Sequence, residues 1–172
     1  GNYSPKIKNN TINLRTAITS NYGIYMQNCN NTQGNFMDIS GNKIINAGQY
    51  GIILTSCSKS GTDFNLVSNN MVGGFRYNIG TIGIYLNSAS RTLVYHNSVD
   101  LSVATLSTGS NASVFVQNGS ANEVKNNHLS VSNTAALNAF PLWITPTSAV
   151  SAADFNNYYN LSSPFLLNYA NV

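Results

Sequence analysis

Apolar residues in this chain fall in short, evenly spaced clusters. One cluster reads apolar-x-x-Asn-x-apolar and occurs five times, running Ile7 to Ile12, Ile39 to Ile44, Val67 to Val72, Val94 to Val99 and Val124 to Leu129. Its Asn residues, Asn10, Asn42, Asn70, Asn97 and Asn127, step by 32, 28, 27 and 30 positions. Asn157 lies another 30 residues on and reads as a degenerate sixth copy. A second cluster interleaves with the first: Gly23-Ile-Tyr-Met26, Gly51-Ile-Ile-Leu54, Gly83-Ile-Tyr-Leu86, Ser113-Val-Phe-Val116 and Pro141-Leu-Trp-Ile144. Two ladders with one mean period mark an internal repeat of the solenoid kind.

Each cluster is a β-branched or aromatic run with period-two alternation, which is strand chemistry. Nothing sustains a 3.6-residue period, so helices are not expected. Strands repeating in one direction along a chain stack coil on coil. The repeat therefore predicts an all-β, single-stranded right-handed parallel β-helix of about five to six coils, each with three short strands. The first strand is the Gly-Ile-Tyr-Leu type. The second ends just before the Asn turn, and the third follows it, as in Ser98–Leu101. The bend between them needs left-handed backbone, which Asn tolerates better than other non-glycine residues, so the repeated Asn is expected to sit there. Stacked Asn side chains can also bond along the axis, as in amide ladders.

Alternation places Ile24/Met26, Ile52/Leu54, Ile84/Leu86, Val114/Val116 and Leu142/Ile144 inside the coil. Tyr25, Ile53, Tyr85, Phe115 and Trp143 then form an outward column, one strand spacing apart. Open to solvent, such a row can grip sugar rings. Covered by neighbouring loops, it is a second small core. The ladders place Cys29 above Cys57, with Ala89 and Gly119 continuing that column. In-register neighbours are poorly oriented for a disulfide, so two small buried thiols are expected.

The pattern Gly-Ile-x-Leu, a small-residue turn, then Val-x-x-Asn-x-Val resembles the right-handed parallel β-helix superfamily that includes pectate lyases, polygalacturonases and phage tailspikes. The likeness spans residues 5 to 167. It implies the fold and, on the first-strand face, a place for polysaccharide. The coils run longer than that superfamily's minimal coil, and the extra length falls chiefly at Gly74–Thr81 and Ser102–Ala112. The catalytic strings of the polygalacturonase type are not found here.

Composition narrows the partners. Hydrophobic residues make up 42% of the 172, enough for one cored domain covering 1–172, or a piece of a longer secreted protein. Charged residues make up only 8%, and 29 Asn help fill the polar surface instead. A net charge of +3 without a Lys/Arg run leaves no footprint for nucleic acid. No apolar stretch is long enough for a transmembrane helix. Asn-rich, Lys-poor composition and the Asn-Asn-Tyr-Tyr159 ending are similar to cell-surface repeats of gliding or gut bacteria. That likeness implies a secreted bacterial protein, extracellular or at the cell surface, with neighbouring domains.

Candidate chemistry is sparse. The carboxylates are Asp38, Asp63, Asp100, Glu123 and Asp154, scattered over different coils and read as solvated surface. A glycosidase needs a carboxylate pair flanking one bond, and Asp100 with Glu123 is the nearest approach to one. His96 falls in the Asn turn and His128 points outward, neither with metal or triad spacing. No catalytic residues, metal site or cofactor are assigned. Arg76, in the long loop before Gly83, and Arg91, in the turn after it, could meet an anionic sugar. The sequence thus favours a non-catalytic module. It would bind polysaccharide through Tyr25, Tyr85, Phe115 and Trp143 with Arg76 and Arg91, or act as a rigid spacer. A divergent polysaccharide lyase or glycoside hydrolase is the alternative, and a structural repeat of a long adhesin a third reading.

Overall fold

A computed structural model describes residues 4–14, 21–32, 34–75, 80–102, 111–132, 139–161 and 166–169. Among these residues, eighteen strands form three six-stranded parallel sheets. The first sheet holds β1 (Lys6–Lys8), β4 (Asp38–Ser40), β7 (Asn65–Ser68), β10 (Thr92–Tyr95), β13 (Asn122–Lys125) and β16 (Val150–Asp154). The second holds β2 (Thr11–Asn13), β5 (Lys43–Ile45), β8 (Met71–Gly73), β11 (Ser98–Leu101), β14 (His128–Val131) and β17 (Asn157–Asn160). The third holds β3 (Tyr22–Gln27), β6 (Tyr50–Thr55), β9 (Ile82–Asn87), β12 (Asn111–Gln117), β15 (Ala139–Thr145) and β18 (Leu167–Tyr169). Consecutive strands lie in different sheets, and every third strand returns to pair in register with its counterpart. This is the parallel β-helix that the repeat predicts. The one helical element among the described residues is a 3-10 turn at Thr147–Ala149.

One apolar core runs the length of the coil. Ile52, Ile84, Val114 and Leu142 stack in register and are fully buried, as are Leu54, Leu86, Val116 and Ile144. Ile39, Val67, Val94 and Val124 close it from the first sheet, and Ile44, Val72, Val99 and Leu129 from the second. Burial of stacked aliphatics removes apolar area from water at every coil.

The Asn ladder is present, with two corrections. The left-handed residue at each bend is the one before the ladder Asn: Asn9, Gly41, Asn69, His96, Asn126 and Phe155 have φ of 57°, 67°, 53°, 57°, 56° and 57°. The ladder Asn instead supplies a side chain. Asn42, Asn70, Asn97 and Asn127 are buried, and each takes both the backbone N–H and the Nδ2 of its predecessor on Oδ1. Each also sends its own Nδ2 back to a carbonyl of the previous coil, as Asn97 does to Val67 at 3.0 Å. The sixth rung is Asn156 rather than Asn157, accepting from Asn127 N–H and Nδ2 at 3.0 and 2.9 Å. Asn157 opens β17 and is exposed. Turns after the third sheet use the same backbone trick at Asn28, Ser56, Ser88 and Asn118.

The thiols stack as expected and remain free, although Cys29 is half-buried rather than buried. Burial, with Cys29 close by, pushes the Cys57 thiol up to about 12. Gly119 continues the column at φ 81°, where a Cβ would lie 1.9 Å from the Ala89 carbonyl oxygen. The extra-long loops at 74–81 and 102–112 fall largely outside the described residues.

Candidate functional site: the aromatic column

The first-strand face does carry a row of rings. Phe115 stacks on Tyr85 at 5.1 Å between centroids and 4° between planes, and on Trp143 at 4.8 Å and 29°. Tyr50 continues from Tyr85 at 5.5 Å, and Tyr22 from Tyr50 at 5.2 Å. Tyr25 meets Tyr22 edge-on at 5.6 Å, and Phe140 meets Trp143 likewise at 5.5 Å. Tyr22, Tyr50 and Phe140 are members that alternation did not single out. They sit near the start of their strands, where Tyr22, Tyr50 and Ile82 stack in register. Recurrence of aromatic or aliphatic residues just before the Gly of each copy was the available signal.

The middle of this row is not open. Ile53, Tyr85 and Phe115 are only 6%, 9% and 7% exposed and pack with Ile82 and Ala112 into a second apolar cluster. The Tyr85 hydroxyl bonds Gln117 of the next coil, and burial, with Tyr50 nearby, pushes this phenol up to about 12. Exposure is concentrated at the N-terminal end, where Tyr25 and Tyr22 are 46% and 38% exposed. Trp143 is half-buried.

Arg91 does not join the column. Arg91 lies in the bend before β10, stacks over Phe64, and donates from Nη2 to the Thr62 carbonyl and from Nε to the Asp63 carbonyl. Its charge is spent on holding the loop at 62–64. Arg76 lies outside the described residues.

The carboxylates are dispersed and mostly occupied. Asp100, on β11 of the second sheet, accepts from Ser130 and Ser132 hydroxyls at 2.6 and 3.0 Å. Glu123, on β13 of the first sheet, accepts from Lys125 at 2.9 Å and from the Tyr95 hydroxyl. The two therefore face different sheets. Asp38 is 6% exposed and bridges Lys8 at 3.0 Å, so it is not the solvated carboxylate that the sequence suggests. Asp63 takes the Gly34 N–H at 2.8 Å and Lys59 at 3.3 Å. His96 and His128 are exposed, and His128 Nδ1 lies 3.2 Å from Asn157 Nδ2. No group of three or more metal-ligating side chains gathers among the described residues.

A shallow groove of about 360 Å³ crosses the second sheet where Gly73 leaves a gap between Ile45 and Asp100, with Met71 and His128 on its rim. Its walls are largely apolar, with Asp100 already satisfied by two serines.

No family model, curated protein or solved structure matches the chain.

Proposed function

We propose that the chain is a non-catalytic, rigid rod module of a secreted, surface-exposed bacterial protein, of the right-handed pectate-lyase-like kind, that holds neighbouring domains at a fixed separation. The observation that supports this reading is the continuity of its two longitudinal ladders. One amide network, buried from Asn42 to Asn127, runs unbroken from Asn10 to Asn156. One stack of rings runs from Tyr22 to Trp143, each within 5.5 Å of the next. Both tie each coil to the next, so bending the rod breaks buried hydrogen bonds and ring contacts together. Hydrogen exchange tests it. A stiff spacer gives uniformly slow exchange in β5 to β14, whereas one or more fast-exchanging internal coils would identify a hinge and overturn the reading.

Polysaccharide contact is a second reading, favoured by the exposure of Tyr22 and Tyr25. Two exposed tyrosines in edge contact, their planes 66° apart, offer a platform for a few sugar units, smaller than a longer row of open rings. Affinity electrophoresis on plant and bacterial polysaccharides, comparing wild type with a Tyr22→Ala, Tyr25→Ala double variant, decides it. Equal migration of both proteins on every glycan leaves the spacer alone. Release of reducing ends or unsaturated products would favour the lyase or hydrolase alternative and turn attention to Asp100 and Glu123.

A further inference from the structure

Of the 29 Asn in the chain, one is followed by Gly: Asn118, before Gly119. The pair forms the bend after β12. The same bend recurs at Asn28, Ser56 and Ser88, with φ of 54°, 51° and 55° against 60° at Asn118. Cys29, Cys57 and Ala89 follow in those copies. In this copy Gly is enforced, because its φ is 81° and a Cβ there would lie 1.9 Å from the Ala89 carbonyl oxygen. Asn118 is exposed. Among the described residues its side-chain amide has no hydrogen-bond partner, and neither has the Gly119 N–H. The ladder amides differ: Asn97, for one, is buried with Oδ1 and Nδ2 both engaged.

We infer that Asn118 is the site of a spontaneous backbone modification, deamidation through a cyclic imide. The Gly119 nitrogen gives its proton to hydroxide and attacks Asn118 Cγ. The new N–Cγ bond closes a five-membered ring, and the Cγ–Nδ2 bond breaks to release ammonia. Water then opens the ring at either carbonyl. Opening at Cγ leaves aspartate. Opening at the backbone carbonyl leaves isoaspartate, whose main chain runs through Cβ and Cγ. Ring closure turns the peptide plane between the two residues. Gly119 has no side chain to block the approach and accepts φ of either sign, and its unpaired N–H gives up no hydrogen bond. Either product adds a negative charge to the bend. Isoaspartate also inserts one backbone carbon just before Ser120. Ser120 donates its N–H to Ser90 Oγ at 3.1 Å and accepts the Arg91 N–H at 2.9 Å. These bonds join the coil of β12 to the coil before it, so isoaspartate loosens the rod at an internal junction. The inference stands apart from the spacer and glycan readings, because it concerns how the chain ages.

Storage of the folded protein in warm, mildly alkaline buffer, followed by peptide mass mapping with isoaspartate detection, tests the site. A free peptide of residues 115–121 serves as the clock. Asn118 should convert at least about tenfold faster than Asn28, which is exposed at the same bend but precedes Cys29, and its rate should rise with pH. Asn118→Gln keeps an amide but must close a larger ring, so it should stay unconverted. Aged wild type should then exchange amide hydrogens faster than fresh protein at 88–92 and 118–122, and aged Asn118→Gln should not. Asn118 left intact after several half-lives of the peptide overturns the inference, as does conversion at Asn28 as fast as at Asn118. Converted protein that exchanges no faster than fresh overturns the loosening. Fresh protein alone bears on the spacer reading, so the two fail separately.

Discussion

Asn97 presents two donors to a single atom, its backbone N–H and its Nδ2 reaching Oδ1 of Asn127 at 2.9 and 3.0 Å. Its own Oδ1 takes the same pair from Asn70, and its Nδ2 also reaches the Val67 carbonyl. The side chain is thus acceptor toward one neighbour and donor toward two groups, and it is 2% exposed. Asn97→Ala leaves several buried partners unmet and should cost about 2 to 4 kcal/mol. Asn97→Asp keeps the shape but sets an oxygen against the Val67 and Asn127 oxygens, so it should cost more than the alanine. Urea denaturation of both variants measures this. An aspartate variant as stable as the alanine variant would show that the ladder's donor direction is unimportant.

The buried middle of the aromatic column makes a second comparison. Outward residues of a β-coil ordinarily cost little when truncated. Phe115, packed between Tyr85 and Trp143, should behave as a core residue instead, with Phe115→Ala losing about 3 kcal/mol, close to Ile84→Ala. Tyr25→Ala, at the exposed end, should lose less than about 1 kcal/mol. Equal, small effects at Phe115 and Tyr25 in thermal unfolding would mean that the column is open in solution.

The fold was legible because two independent ladders carry it, each repeating a residue type with a physical task. The inside–outside assignment of Ile84 and Leu86 followed from alternation alone. Alternation says only that Tyr85 leaves the coil interior; it says nothing about what then covers the ring, and Tyr50, Ile82 and Phe115 decide that. The bend was misassigned by one residue for a related reason. Asn suits both left-handed backbone and amide ladders, and three of the six copies read Asn-Asn, at Asn9-Asn10, Asn69-Asn70 and Asn126-Asn127. Only Gly41, His96 and Phe155 separate the two roles, since at those copies the first position is not Asn. The same one-residue ambiguity in Phe155-Asn-Asn made Asn157 look like the rung. Arg91 was readable as a loop cation, but its stacking on Phe64 and its carbonyl acceptors come from the previous coil, about 28 residues away.

Acid sensitivity follows from three carboxylates. Burial alone would raise Asp38, but hydrogen bonds from Ser40 and Lys8 outweigh it and hold the carboxyl below its ordinary 3.8. The Gly34 N–H and Lys59 hold Asp63 down as well, and Lys125 and Tyr95 do so for Glu123, below 4.5. A carboxyl depressed in the folded state contributes stability that is present above its unfolded pKa and is lost as pH falls through the folded value. Stability should therefore be flat from neutral pH down to about 5 and fall below about 4.5. Glu123→Gln should lower stability at pH 7 and flatten the acid limb. Urea midpoints at pH 7, 5 and 3 check the shape, and a Glu123→Gln limb as steep as wild type would assign the acid loss elsewhere.

The small residue that opens the first-strand repeat has a steric cause. A Cβ on Gly83 would lie 2.1 Å from Val99 Cγ1 and 2.5 Å from the Ser113 carbonyl oxygen. The same geometry recurs one coil earlier, where Gly51 faces Val72 Cγ1 at 2.2 Å. The inward third-strand residue is β-branched at Ile44, Val72 and Val99, and each places a Cγ against the Gly of the same coil. In the next coil that inward residue is Leu129, whose branch lies one carbon further out, and the first strand there carries Ser113 instead of Gly. The Ser113 hydroxyl fills the space and donates to the Ser130 carbonyl at 2.7 Å. Gly83→Ala should thus overpack this contact and cost about 1 to 3 kcal/mol. Val99→Leu inserts one methylene into the core and should itself cost about 1 to 3 kcal/mol. Combined, the two should lose less than the sum of the single effects, because the leucine withdraws the clashing Cγ1 and reproduces the Ser113–Leu129 pairing. Thermal unfolding of the four proteins in this cycle gives the coupling. Strict additivity would show that the Ser113 carbonyl, and not Val99, is what excludes a side chain at position 83.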